Sequence, residues 1–331
     1  MLALSVVLWV FCGCSSSKAE YTVATEETAV ATETAADAET TGFVPEEGVI
    51  VHEGKYYLPR EDQLRILAVG LDKKDRKETE KGYTNKMQSD FLLLLVMDKD
   101  TKECNILNLN RDIMTTIRKL GFGGAVTGTY EGQLALAHTH GKGGRDSAEN
   151  VVWSVSNLLG GVPIDHYMTL TMSSIGKLND LVGGVPVTIL EDFTRIDSRM
   201  YEGAEIRLNG WQAQEYVRGR RDVADGTNLN RMSRQEQYLY AFYRQFLEKS
   251  QQEGADFLGR VLLTVGTSFQ TDLDFETLNE LRKLLPSCKL NPFQSVAGEL
   301  VLGEDYYEFH VDEEALMEQI IRLFYQEITP N

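Results

Sequence analysis

Three short runs of uninterrupted apolar residues punctuate the chain after a long polar stretch: Leu64–Leu71 (LRILAVGL), Asp90–Met97 (DFLLLLVM) and Cys104–Leu109. Hydrophobicity that is continuous rather than alternating is the pattern of strands covered on both faces. The polar link Asp98-Lys99-Asp100-Thr101-Lys102 suits a hairpin between the last two. Asp146 with Glu149 three residues on has the form of a capping box, and Val151, Val152, Val155, Leu158 and Leu159 then recur at helical spacing until Gly160-Gly161. His166–Thr171 reads as a strand, Ser174–Val182 as a helix stopped by Gly183-Gly184, and Val185–Leu190 as a strand. Further helices are expected at Trp211–Val217, from Arg231 to about Lys249, at Phe275–Leu285 and at Glu313–Tyr325, with strand-like runs at Ser295–Leu302 and Tyr306–Val311. Neither an internal repeat nor a linker interrupts Leu64 to Gln326, so residues 63–331 read as one domain. Alternating strands and helices make it an α/β fold: three layers, with a central mixed sheet flanked by helices.

The first 62 residues follow different rules. Met1 to Val10 is almost wholly apolar and turns polar at Ser15-Ser16-Ser17, too short for a comfortable span of about 20 residues. Residues 1–14 therefore read as a signal segment, and the ending Gly13-Cys14-Ser15-Ser16 resembles a lipoprotein cleavage site with Cys14 as the acylated thiol. An uncleaved membrane anchor and a plain cleaved signal remain open. Residues 15–62, rich in Thr, Ala and Glu, offer little apolar area to offset ordering and read as a flexible acidic stalk.

Charge narrows the function. The net charge of -17 argues against a nucleic-acid reader, which needs a basic face. Within that acidic background Arg218, Arg220, Arg221, Arg231 and Arg234 form a local basic exception. Cys104 and Cys288 show no zinc-ligand spacing; Cys104 reads as a buried thiol, with a Cys104–Cys288 bridge open in an oxidising compartment.

There is no G-x-S-x-G elbow, no P-loop and no H-E-x-x-H. What remains are carboxylates and arginines at strand ends: Asp72 after the first run, Asp90 opening the second, Arg111-Asp112 after the third. Such edges are where open α/β sheets bind ligands. Two approaching carboxylates suit a hard cation such as magnesium, and guanidiniums suit a pyrophosphate. Arg231 and Gln235 share a helix face. His138 and His140 read as loop or strand residues rather than metal ligands, and Met168, Leu170, Met172 and Trp153 as core, with an apolar lipid tunnel as the alternative.

Six blocks in order resemble the LytR-CpsA-Psr family: Ile66–Asp72 (ILAVGLD), Gln88–Asp112, Gly160–Leu170 (GGVPIDHYMTL), Leu181–Phe193 (LVGGVPVTILEDF), Leu208–Arg220 (LNGWQAQEYVRGR) and Asn230–Leu239 (NRMSRQEQYL). The resemblance implies Mg2+ at Asp72 and Asp90, pyrophosphate binding by Arg111, Arg218, Arg220, Arg231, Gln235 and Asp225, and a proton acceptor in Asp112 or Asp72. It also implies transfer of a glycopolymer, teichoic acid or capsular, from undecaprenyl pyrophosphate to peptidoglycan at the extracytoplasmic membrane face. A polyprenyl-pyrophosphate phosphatase or a non-catalytic scaffold for lipid-linked glycan would use the same residues. The chain departs from the family pattern at Gln88, where an arginine is usual and Lys86 is the nearest cation, and at Gln133 and Ala135 in place of Lys and Asn.

Overall fold

The computed structural model describes residues 48–72, 83–219, 228–274, 277, 281, 287–304 and 306–329. The signal segment with Cys14, most of the stalk, Arg220, Arg221, Asp225 and most of the helix expected at 275–285 lie outside the described residues.

Strands β1 (Ile50–His52) and β2 (Lys55–Pro59) precede the first apolar run. The three runs are β3 (Gln63–Leu71), β4 (Ser89–Asp98) and β5 (Glu103–Leu109), an antiparallel meander with the expected hairpin between the last two. A second hairpin, β6 (Met114–Leu120) and β7 (Val126–Gln133), leads to helix α1 (Arg145–Leu158). Next come β8 (His166–Thr171), α2 (Ser173–Leu181), the ribbon β9 (Val185–Thr188) with β10 (Glu205–Leu208), α3 (Gly210–Arg218) and α4 (Asn228–Val265). The chain closes with β11 (Phe269–Thr271), β12 (Lys289–Ser295), β13 (Gly298–Leu302), β14 (Tyr307–Val311), α5 (Glu313–Phe324) and β15 (Tyr325–Ile328).

The central sheet is six-stranded and mixed, in the order β11-β8-β3-β4-β5-β12, with β8 parallel to β3 and β12 parallel to β5. Residue parity on the inner strands sorts the two cores, because successive side chains point to opposite faces. Ile66, Ala68, Leu93, Leu95 and Met97 face α2, α3 and α4, while Leu67, Val69, Leu92, Leu94 and Val96 face α1 and α5. The three-layer expectation holds: Ile66–Leu71 of β3 and Phe91–Met97 of β4 are apolar without a break because each face has a helical layer to bury against.

Several expected boundaries shift for identifiable reasons. Residues 50–59, assigned to the stalk by composition, are paired strands: β2 bonds β1 on one side and β15 on the other. Tyr56, Tyr57 and Leu58 supply enough half-buried surface for that pairing. Asp146 is not the cap of α1; Gly144 occupies that position, and the Asp146 carboxylate accepts from Lys142 N–H at 2.9 Å, bracing the preceding turn. The strand at Val185 joins β10 rather than the central sheet. The run read as Ser295–Leu302 is two strands. Finally, α4 continues well past Lys249, since Phe257, Val261 and Val265, four residues apart, keep an apolar stripe on the core after the polar stretch Ser250–Gly254.

Helices α2 and α3 cross backbone to backbone. A Cβ on Gly176 would lie 2.7 Å from the Gly210 carbonyl oxygen, so both positions require glycine. Asn209 starts α3 with a complete capping box, accepting from Gln212 N–H at 2.9 Å and donating back to Oε1 of Gln212 at 3.0 Å.

No helix among the described residues is long and apolar enough to cross a membrane. The extended α4 generates a stability prediction: Phe257, fully buried against Phe246 at 5.1 Å between ring centroids, leaves a cavity when changed to Ala. Urea denaturation of Phe257→Ala is expected to show a loss of about 3–5 kcal/mol; a loss near zero would mean that this half of the helix is not core.

Candidate active site

The C-terminal ends of β3 and β5 and the N-terminal end of β4 meet at one edge of the central sheet, as the antiparallel register requires. Asp72 leaves β3, and its backbone N–H donates to the Gln88 carbonyl at 3.1 Å while its Oδ1 accepts from Gln88 N–H at 3.0 Å. Gln88 is thereby fixed by its backbone, two residues before Asp90. After β5 the Asn110 side chain accepts from Asp112 N–H at 3.0 Å and turns the chain, presenting Arg111 to the β4 entry.

The Arg111 guanidinium is committed on three sides. It pairs with Asp90 through Nη1, donates to Oε1 of Gln88 at 2.7 Å through Nη2, and faces Oδ1 of Asp112 at 3.4 Å from Nε. From the opposite layer Arg231, on the first turn of α4, donates to the Asp90 carbonyl at 3.2 Å and lies 3.8 Å from its carboxylate. Two guanidiniums from different elements thus share one carboxylate. Their side chains are only 11% and 3% exposed, so the charges interact with little screening by water.

The expected residues separate into those brought together and those with other work. Asp90, Arg111 and Arg231 form the centre, with Asp72 and Gln88 on its flank. Asp112 is nearly sealed at 3% exposure; its Oδ1 receives Nε2 of Gln133 at 3.3 Å as well as Arg111, and its Oδ2 has no hydrogen-bond partner. Among the described residues, then, Asp112 backs Arg111 from behind. Arg218 sits half-buried on the last turn of α3. Gln235 donates to the Val217 carbonyl at 3.1 Å. Arg234, grouped by sequence with the other arginines, points elsewhere: it pairs with Glu191 and donates to the carbonyls of Gly219 and Tyr216, the latter at 3.1 Å. The last carbonyls of α3, which a helix leaves unsatisfied, are thus closed by Arg234 and Gln235 from α4.

Gln88 stands where the family pattern has a cation, and its amide oxygen instead supplies an acceptor to Arg111. No single-sequence signal marks that role, or the pairing of Glu191 with Arg234. The histidines are structural: His138 Nδ1 lies 3.1 Å from the Met87 carbonyl, and His140 Nε2 lies 3.1 Å from the Tyr130 hydroxyl, with burial holding the His140 pKa below its ordinary value. Among the described residues no group of three or more His, Cys, Asp or Glu is placed to hold a metal. Asp72 and Asp90 nonetheless fit a magnesium ion by donor chemistry, since both are carboxylates at adjoining strand ends and this cation takes few protein ligands when substrate phosphates complete its shell.

One helix turn beyond Arg231, Gln235 enters the lining of an apolar cavity of about 610 Å³, mouth included. Met168, Leu170, Met172, Ile175 and Leu239 line it between the sheet and helices α2 and α4. Trp153 is not part of it and lies under the Arg118 guanidinium at 4.7 Å.

Paired arginines on a carboxylate at a sheet edge, opening beside an apolar slot, define a class of α/β domain suited to a ligand with an anionic head and a hydrocarbon tail. The chain belongs to the LytR_cpsA_psr family, whose sequence model it matches over residues 19–321. It is 29% identical to the polyisoprenyl-teichoic acid–peptidoglycan teichoic acid transferase TagU of Halalkalibacterium halodurans over 67% of this chain and 65% of that protein, less than two thirds of the relative's length. Among solved structures, B. subtilis TagV superposes with a TM-score of 0.59 at 24% identity, covering 80% of this chain and 96% of that one. A structure of TagT bound to LIIa-WTA superposes at 0.58 and 21% identity, over 80% of this chain and 90% of TagT. These two likenesses establish the fold.

The buried Arg234–Glu191 pair yields a prediction separate from catalysis. Arg234→Ala leaves Glu191 and two carbonyls without their donor and is expected to cost about 3–5 kcal/mol in urea denaturation. A cost under about 1 kcal/mol, the range of exposed pairs, would show that water reaches the junction.

Proposed function

We propose that this chain transfers a glycopolymer of the teichoic acid or capsular type from undecaprenyl pyrophosphate to a peptidoglycan hydroxyl, at the outer face of the membrane to which its N-terminal segment holds it. The observation that carries this reading is the convergence of Arg111 and Arg231 on Asp90 beside the apolar cavity. The anionic head of a polyprenyl pyrophosphate matches the first and its tail the second. The relative named a teichoic acid transferase supplies the substrate class.

In this reading the acceptor oxygen attacks the phosphorus nearer the sugar, a new P–O bond forms, and the bond to undecaprenyl phosphate breaks. Negative charge then grows on the departing phosphate, where guanidiniums stabilise it at low dielectric without reorganisation. Asp90 already occupies both arginines, so a pyrophosphate must draw Arg111 and Arg231 away from the carboxylate as it binds. Magnesium held by Asp72 and Asp90 would supply the compensating positive charge. Asp112 and Gln88 keep Arg111 aimed, the one by charge and the other by an amide acceptor. Of the two carboxylates able to take the hydroxyl proton, Asp72 is half-open to solvent, whereas Asp112 is shut behind Arg111. Arg218, Arg220 and Asp225 complete the anion site in this proposal.

The test is transfer from a short undecaprenyl-pyrophosphate-linked glycan to peptidoglycan fragments, comparing the wild type with Arg111→Ala, with and without magnesium. Transfer is expected to require magnesium and to fall by at least about 100-fold in the variant, the size typical of removing one charge-stabilising donor. Phosphate release without attachment to any acceptor would show a pyrophosphatase. Binding without turnover would show a scaffold.

A further inference from the structure

Cys104 and Cys288 are separated by most of the domain in sequence and meet at the edge of the central sheet. Cys104 lies in β5, fully buried. Cys288 lies in the bend just ahead of β12, half-exposed. The parallel register of β12 with β5 sets Leu290 opposite Cys104, and the Lys289 N–H donates to the Lys102 carbonyl at 2.7 Å, so the bend is tied down beside Cys104. Both sulfurs face the same core. Cys104 and Leu290 belong to it and Cys288 packs against it, with its Sγ 3.5 Å from Sδ of Met97, the residue opposite Cys104 on β4. Burial first, and then the neighbouring Cys288 thiol, push the Cys104 thiol pKa up.

We propose that Cys104 and Cys288 form a disulfide in the mature protein, covalently joining the bend ahead of β12 to β5, the strand that leads into Arg111. The proposal rests on the extracytoplasmic location given above, since such bonds persist in oxidising compartments. Closure breaks both S–H bonds and forms one S–S bond; two protons and two electrons pass to a disulfide oxidant, either a small-molecule disulfide or an oxidised thiol oxidoreductase, which leaves as two thiols. Cys288, the accessible partner, attacks the oxidant first to give a mixed disulfide, and Cys104 then displaces the carrier thiol. Burial pushes the Cys104 thiol far above its ordinary pKa, which makes the second step slow in the folded domain and places closure while the chain is still open.

The experiment is peptide mass mapping of the full-length chain, exported through its own N-terminal segment and alkylated in denaturant without reductant. A linked peptide pair containing Cys104 and Cys288, two hydrogens lighter than the separate thiols and lost on reduction, is expected. The thermal midpoint should fall on reduction by on the order of 10 °C, as cross-links closing long loops imply, and that of Cys288→Ser should ignore reductant. Recovery of both cysteines as separately alkylated thiols overturns the proposal. Unfolding a sample of that protein withheld from alkylation and refolding it in oxidised and reduced glutathione then separates the causes: closure of the pair faults the assigned compartment, and failure to close faults the geometry.

Discussion

Two guanidiniums sharing one carboxylate in a poorly hydrated place is a costly arrangement, because each charge gives up water and the two like charges repel. The site can hold it only if every partner is fixed before the charges meet. Much of the architecture supplies that fixing. The β3–β4 register pins Gln88 and Asp90 against Asp72, the Asn110 turn presents Arg111 at that edge with Asp112 behind it, and the junction of α3 with α4 sets the first turn of α4 so that Arg231 arrives from the other layer. Asp112 and Gln88 share the task of holding Arg111, so the cluster stands on more than the one carboxylate.

The division of labour within α4 follows from the same demand. Arg231 and Arg234 are almost a turn apart and both almost fully buried, yet one meets a carboxylate at the sheet edge and the other closes the end of α3. The second is what makes the first reliable, since a helix docked by buried donors to unsatisfied carbonyls has little freedom to rotate. Gln235 joins the two tasks, with its amide on Val217 and its side chain on the wall of the apolar cavity.

The inner strands were plain to read because burial on both faces makes the middles of β3 and β4 continuously apolar and β5 largely so, and the strand ends marked by Asp72, Asp90 and Arg111 were plain for the same reason. Other features were hidden by physical circumstances. The polar stretch Ser250–Gly254 looks like a helix end, but the helix runs through it and the apolar stripe resumes at Phe257. β1 and β2 are short, and the second partner of β2, β15, is about 270 residues away, beyond any local pattern. Arg234 belongs to the same basic cluster as Arg231, and its pairing with Glu191 is a tertiary contact that no local pattern marks. Gln88 read as a lost cation, whereas the folded chain uses it as an acceptor.

The small sheet β1-β2-β15 has a mechanical consequence. Ile50 pairs with Tyr57 on one side of β2 and Ile328 with Tyr56 on the other, so the two ends of the domain stand about 10 Å apart across a single intervening strand. Tension applied at the N-terminal end of the described residues is carried first by this lacing rather than by the arginine cluster. Both ends are thus fastened to the same strand, on a small sheet separate from the one whose edge carries the arginine cluster.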